Sequence, residues 1–252
     1  MEKQRINDIA FAAGRWPLDP ERETIVFIHG AGGSNLLWHH QVKGLSDRLN
    51  MVAPDLPGHG ESGGQAMESI EDYAKSVSGF IRDLGVNRPV ICGLSMGGAI
   101  VLQLLTDEPE SFSGAIVANS GARLKVQPAI FEMIENDFNG FVNGMYTVGI
   151  SPKTDPSTIR PLIEQMEICP PAVTKGDFAA CSTFDVMDRL ASIQTPVLVI
   201  TSADDQMTPV KYGQYMAEQI PGARMVTLED AGHLAPLEKP EQVNQVLRDF
   251  RG

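Results

Sequence analysis

Pro89-Val90-Ile91-Cys92-Gly93-Leu94-Ser95-Met96-Gly97-Gly98-Ala99-Ile100-Val101 is the stretch on which the fold turns. A short apolar run reaches Gly93, and an Ala/Leu-rich segment, Ala99 to Leu105, follows with helical spacing. Between them Ser95 stands flanked by Gly93 and Gly97. The pattern reads as strand, sharp turn, helix, with a serine on the turn. Glycine suits both flanks, because a Cβ at either would clash in so tight a turn. The serine is expected in strained backbone geometry that pushes its hydroxyl outward. A bare Gly-x-Ser-x-Gly arises by chance in about one chain in ten of this length, so the flanking sequence has to decide.

Working outward, Thr24 to Ile28 is a continuous apolar run, as expected for a strand in the middle of a parallel sheet. It ends at His29-Gly30-Ala31-Gly32-Gly33-Ser34. Residues 5 to 15 read as an edge strand, Leu36 to Leu49 as a helix, and Met51 to Pro54 as a short strand ending at Asp55-Leu56-Pro57-Gly58-His59-Gly60-Glu61-Ser62. Ser69 to Leu84 reads as an amphipathic helix, with Ser69 as its start signal. Downstream of the serine, Gly114 to Ala118 is another strand. From Arg123 to Ser192 there are many Pro and Gly punctuators, Met- and Phe-rich helical patches and no clear strand. Alternation resumes with strands at Pro196–Ile200 and Arg224–Leu228 and helices at Lys211–Gln219 and Pro240–Phe250. The expected fold class is α/β, a mostly parallel central sheet with helices on both faces. Residues 1–122 and 193–252 would form that core. Residues 123–192 would be an inserted helical cap over the carboxyl ends of the strands, where open α/β sheets bind ligands.

Composition narrows the function. At 252 residues the chain holds one large domain, or one domain with an insertion. A formal net charge of -12 argues against nucleic-acid partners and against anionic membrane surfaces. Met1 to Asp8 does not resemble a signal peptide, and no run approaches a membrane span. The three cysteines, Cys92, Cys169 and Cys181, are odd in number and far apart, which points to a reduced, cytoplasmic protein. Cys92 reads as a buried small hydrophobe. No two histidines have metal-ligand spacing, so no metal is expected, and no cofactor either.

A serine hydroxyl is a weak nucleophile at neutral pH and needs a base, itself oriented by an acid. Of five histidines only His233 lies late in the chain, in the loop Asp230 to Pro236 after the last strand. An acid is available directly after the Val197–Thr201 strand, where Asp204 and Asp205 are adjacent. Chain order is then serine, aspartate, histidine. A negatively charged intermediate needs two N–H donors; Met96, after the serine at a helix start, supplies one.

Taken together, His29 to Gly33, Asp55 to Ser62, Gly93 to Gly98, Asp205 to Pro209 and Gly232-His233 resemble the α/β-hydrolases of the capped, esterase-like kind, with some similarity to enol-lactonases. The motifs run through nearly the whole chain. The resemblance favours Asp205 as the acid, because Pro209 stands four residues after it, with Asp204 as the alternative. It points to Ala31 for the second N–H donor, with Gly32 as runner-up. Some relatives place the acid after the strand following the turn; here that residue is Asn119, which carries no charge. His29 and His59 read as structural, and at least one of His39 and His40 as solvent-exposed. Arg123 and Lys125 read as cap–core salt bridges or a solvated hinge, with a substrate-carboxylate anchor as the other reading.

The expected activity is acyl-enzyme hydrolysis of a carboxylic ester, lactone or thioester of a small to medium apolar substrate, by Ser95, His233 and Asp205 with Ala31 and Met96. The same residue set also serves carbon–carbon bond hydrolases, perhydrolases, acyltransferases and hydrolase-like ligand receptors with slow turnover. Oligomeric state is open.

Overall fold

Strands β1 (Glu2–Ile6), β2 (Ile9–Ala13), β3 (Thr24–Ile28), β4 (Asn50–Pro54), β5 (Val90–Leu94), β6 (Gly114–Ala118), β7 (Val197–Ser202) and β8 (Arg224–Leu228) form one sheet in the order β1-β2-β4-β3-β5-β6-β7-β8. The structure is a computed structural model and describes residues 1–250. From β4 to β8 in sheet order every pairing is parallel; β1–β2 and β2–β4 are antiparallel. Helices are α1 (His39–Leu45), α2 (Ile70–Leu84), α3 (Met96–Asp107), α4 (Pro128–Asn136), α5 (Phe138–Val148), α6 (Arg160–Ile168), α7 (Pro171–Thr183), α8 (Val210–Gln219), α9 (Ala235–Glu238) and α10 (Pro240–Asp249). Strands β3 to β7 are buried on both faces because helices cover both. Successive side chains of a strand point to opposite faces. Val26 and Ile28 therefore join a core with α2, α3 and α8, while Ile25 and Phe27 join a second core with α1 and α10.

Helix α2 begins where the sequence places it: Ser69 Oγ accepts the Asp72 N–H at 3.1 Å, and Gly85 closes the other end in the left-handed region at φ 73. Its apolar stripe, including Ile70, Tyr73, Val77 and Phe80, is buried.

Two expectations need correction. Residues 5 to 15 do not form one edge strand. The chain reverses at Asn7-Asp8, with Asn7 at φ 49, so that β1 and β2 make a hairpin whose inner strand joins β4. Nor is Leu36 to Leu49 one helix; a 3-10 turn at Asn35–Trp38, capped by Ser34, precedes α1, which ends at Leu45.

Between β6 and β7 the chain forms α4 to α7 and adds no strand to the sheet. This segment builds no separate core. Phe141, Met145, Leu162 and Met166 merge with the α1-side cluster, and Ala180, Cys181 and Phe184 with the α3-side one. Among the described residues no helix is long and apolar enough to cross a membrane.

Candidate active site

Ser95 closes β5 and opens α3 with φ 57 and ψ -120. Such a conformation costs a non-glycine residue on the order of 1–3 kcal/mol. The surroundings impose it. Ser95 N–H donates to the carbonyls of Ala118 (3.1 Å) and Asn119 (3.2 Å), and the Ser120 hydroxyl donates to the Ser95 carbonyl at 2.7 Å. The flanking glycines are forced by packing. A Cβ on Gly93 would overlap the Gly97 carbonyl, and one on Gly97 would overlap the Ile28 carbonyl at the end of β3. Helix α3 can therefore sit on the sheet and carry the serine at its tip.

His233 follows β8, and Asp205 follows β7. His233 Nδ1 lies 2.9 Å from Asp205 Oδ2, and both residues are buried. The Thr208 hydroxyl donates to the same carboxylate oxygen at 2.7 Å, and the backbone N–H groups of Met207 and Thr208 donate to the other at 2.8 and 2.9 Å. Burial alone would raise the Asp205 pKa; the charge of His233 and these donors outweigh it and hold the carboxyl below its ordinary value. An Nδ1 facing a carboxylate carries the proton, which leaves Nε2 free to accept one. Asp204 is turned elsewhere and accepts the Ser151 hydroxyl at 2.6 Å.

The histidine loop is clamped from two sides. Asn119 Nδ2 donates to the carbonyls of Gly232 (2.9 Å) and His233 (3.0 Å). The Glu238 carboxylate accepts the N–H of Gly232 at 3.0 Å and that of Ser151 at 2.7 Å, tying the loop to the segment after α5.

Opposite the serine, the loop after β3 comes within van der Waals reach: a Cβ on Gly30 would stand 3.2 Å from Ser95 Cβ. Two N–H groups of this loop are occupied. Gly33 donates to Gly30 O at 3.1 Å, and Gly32 donates to Asp177 Oδ2 at 2.7 Å. Ala31 N–H has no acceptor among the described residues, and Met96 N–H, at the first position of α3, has no intrahelical one. Of the two loop donors weighed from the sequence, Ala31 is thus the free one.

His29 and His59 are buried, with ring centroids 4.9 Å apart. His29 Nδ1 donates to Gly30 O (2.8 Å) and Nε2 accepts from Leu56 N–H (3.0 Å), a pattern only the neutral ring satisfies. Burial, and then the charge of His59, push its pKa down to about 3. His59 faces oxygens on both sides, Asp177 Oδ2 at 2.8 Å and Pro57 O at 3.1 Å, which only the doubly protonated ring satisfies. Burial pulls its pKa down, but Asp177 and the Pro57 carbonyl outweigh this and leave it raised.

Ser95, His233, Ala31 and Gly30 line one cavity with Phe141, Met145, Met166 and Phe178 of α5, α6 and α7. Its volume is about 40 Å³ and its walls are mainly apolar. His233 bonds to Asp205 and Thr208 but makes no hydrogen bond to Ser95, an open arrangement common in free enzymes. Arg123 and Lys125 lie outside this cavity; Arg123 pairs with Asp185 at 3.5 Å, a partner in the same 123–192 segment and not in the core, and both side chains are exposed. His39 and His40 are both half-buried, with tilted rings whose centroids are 3.7 Å apart, so the expectation that at least one is exposed does not hold. Cys92 is wholly buried, as expected.

Sequence reasoning missed Asn119, Ser120, Asp177 and Glu238 as residues that hold the site. Asn119 carried one signal: asparagine tolerates positive φ at a strand end, and here it has φ 41. The others are polar residues on helices or loops whose spacing carries none.

The alpha/beta hydrolase family profile matches residues 25–246. The chain is 28% identical over 233 residues to 3-oxoadipate enol-lactonase 1 of Acinetobacter baylyi, covering 90% of this chain and 87% of that one. It is 26% identical to the pimeloyl-[acyl-carrier protein] methyl ester esterase of Nitrosomonas europaea, covering 86% and 91%. Among solved structures, the enol-lactonase from Burkholderia xenovorans LB400 superposes with a TM-score of 0.88 at 22% identity over 99% of both chains. A thermophilic esterase from Thermogutta terrifontis superposes at 0.85 with 25% identity, covering 99% and 97%. By the family match over most of its length and by the fold it shares with these enzymes, the chain belongs to the alpha/beta hydrolase family.

Proposed function

We propose that this protein is a serine hydrolase that cleaves a carboxylic ester or lactone, with thioesters next, through an acyl-enzyme. The observation that carries the reading is Ser95, held at positive φ on the wall of the same cavity as a His233 bonded to buried Asp205. In the proposed mechanism Ser95 Oγ attacks the substrate carbonyl while His233 Nε2 takes its proton. Asp205 fixes the ring orientation and stabilises the imidazolium that forms. The oxyanion is held by Ala31 and Met96 N–H, fixed donors that need no reorganisation. His233 then returns the proton to the leaving alcohol, which departs, and activates the water that releases the acid and frees Ser95.

The cavity supports this substrate class. Apolar side chains dominate its walls and no cation lines it, which suits an uncharged acyl group. At about 40 Å³ it admits roughly three water molecules, so a short acyl chain or a small ring fits better than a long chain. The cavity-facing residues of α5 to α7 make residues 123–192 the proposed cap that selects this group. Relatives whose names record lactone and methyl ester substrates support the same class.

The test is a panel of short and long aryl esters, lactones and acyl thioesters assayed with wild type and Ser95→Ala. Short-chain esters or lactones should turn over fastest, and the variant should lose at least a thousandfold in kcat. Full activity in Ser95→Ala would sink the proposal.

A further inference from the structure

We propose that Asp177, on α7, is a positioning residue for the oxyanion donor, so that the hole is complete only while the inserted helices are docked. This rests on the serine-hydrolase reading above. Asp177 lies in a helix of the 123–192 segment and has no exposed surface, yet its carboxylate reaches into the core. Its Oδ2 accepts the Gly32 N–H at 2.7 Å and His59 Nε2 at 2.8 Å; its Oδ1 accepts the Tyr73 hydroxyl. Tyr73 OH in turn accepts the Met67 N–H at 3.1 Å. One carboxylate thus gathers donors from the loop after β3, the turn after β4 and helix α2.

The consequence falls on Ala31. Gly32 has φ 63, a left-handed turn that a side chain resists, and Thr174, one turn before Asp177, lies within 3.1 Å of where its Cβ would be. The Gly32 N–H is therefore aimed at α7, away from the substrate. The same peptide unit carries the Ala31 carbonyl, and the unit before it carries the Gly30 carbonyl and the Ala31 N–H. Anchoring the Gly32 amide fixes the twist of the loop and leaves the Ala31 N–H toward the cavity that Ser95 lines. Without the acceptor, the Gly32 amide would be a buried unpaired donor, and the loop could turn it inward at the expense of Ala31. His59 bears the compensating charge and needs no contact with substrate.

The test separates acceptor from charge. Asp177→Asn keeps an oxygen for Gly32 but loses the ion pair with His59; Asp177→Ala loses both. Both variants should lower Tm. Only Asp177→Ala should lower kcat, by at least tenfold with KM changed less than threefold, and Asp177→Asn should retain most of the wild-type kcat. A folded Asp177→Ala enzyme with kcat within twofold of wild type overturns the inference, as does equal loss in both variants. If Asp177→Ala yields no folded protein, Asp177→Glu carries the test. It keeps the charge but displaces the acceptor by one methylene, and an unchanged kcat there also overturns it. Wild type is treated in parallel with a serine-directed phosphonate. Absence of label on Ser95 would refute the parent reading, whereas label with an unimpaired Asp177→Ala would refute this inference alone.

Discussion

Ser95 and Asp205 are residues whose neighbours set their chemistry. Ser95 is forced outward by two backbone acceptors and the Ser120 hydroxyl, and the Asp205 pKa is held down because His233 and the Thr208 N–H and hydroxyl outweigh its burial. Adjacent Asp204 has different partners, and this divides the two by experiment. Asp205→Asn should reduce kcat/KM by roughly a thousandfold or more, because the His233 tautomer is no longer fixed. Asp204→Asn should leave kcat within a few-fold and cost about 1 kcal/mol of stability through its bond to Ser151. Ester kinetics and urea unfolding on both variants check this. Sequence order was enough to single out Ser95 and His233 and to narrow the acid to Asp204 or Asp205, since each follows a strand of one sheet; the family resemblance favoured Asp205. Asp177 and Glu238 left no such trace, because a helical acid that caps a distant amide has the spacing of any surface acid.

At the scale of elements, local chemistry was legible wherever a signal stood at a boundary. Ser69 marks the start of α2, and Ser69→Ala should cost about 1 kcal/mol with kcat unchanged, read as a shift in the urea midpoint. The two glycines around Ser95 mark a contact between elements: Gly97→Ala should be strongly destabilising, because its methyl group would meet the β3 carbonyl of Ile28. A fall in Tm of many degrees, or loss of soluble protein, is the expected outcome. Boundaries set by packing were not legible. The Asn35–Trp38 turn splits an apolar period that reads as one helix, and the β1–β2 hairpin depends on a turn at Asn7-Asp8 whose residues also suit a bend in one strand. The docking of α5 to α7 followed the same rule. Phe141, Met145, Met166 and Phe178 serve the cavity wall and the shared core at once while Phe138 serves the core, and helical periodicity does not separate the two roles.

For the whole molecule, the buried histidines couple stability to pH with opposite signs. His29 titrates near 3 in the fold, below its unfolded value of about 6.5. The unfolded chain therefore binds the extra proton between these values, and stability falls as pH drops below about 6.5, by up to about 1.4 kcal/mol per pH unit. His59 is raised, so its contribution is full below about 6.5 and is lost as pH rises through its folded value. Together they predict a stability maximum near neutral pH from this pair. Urea unfolding from pH 4 to 9 checks the shape, and His59→Gln should remove the alkaline limb while leaving the acid one.

The most direct test of the account is covalent. Treated with a serine-directed phosphonate, the wild-type protein should gain the mass of one phosphonyl group, on the peptide that contains Ser95, with activity lost in step. An unlabelled protein, or label on another residue while activity is lost, would contradict the account.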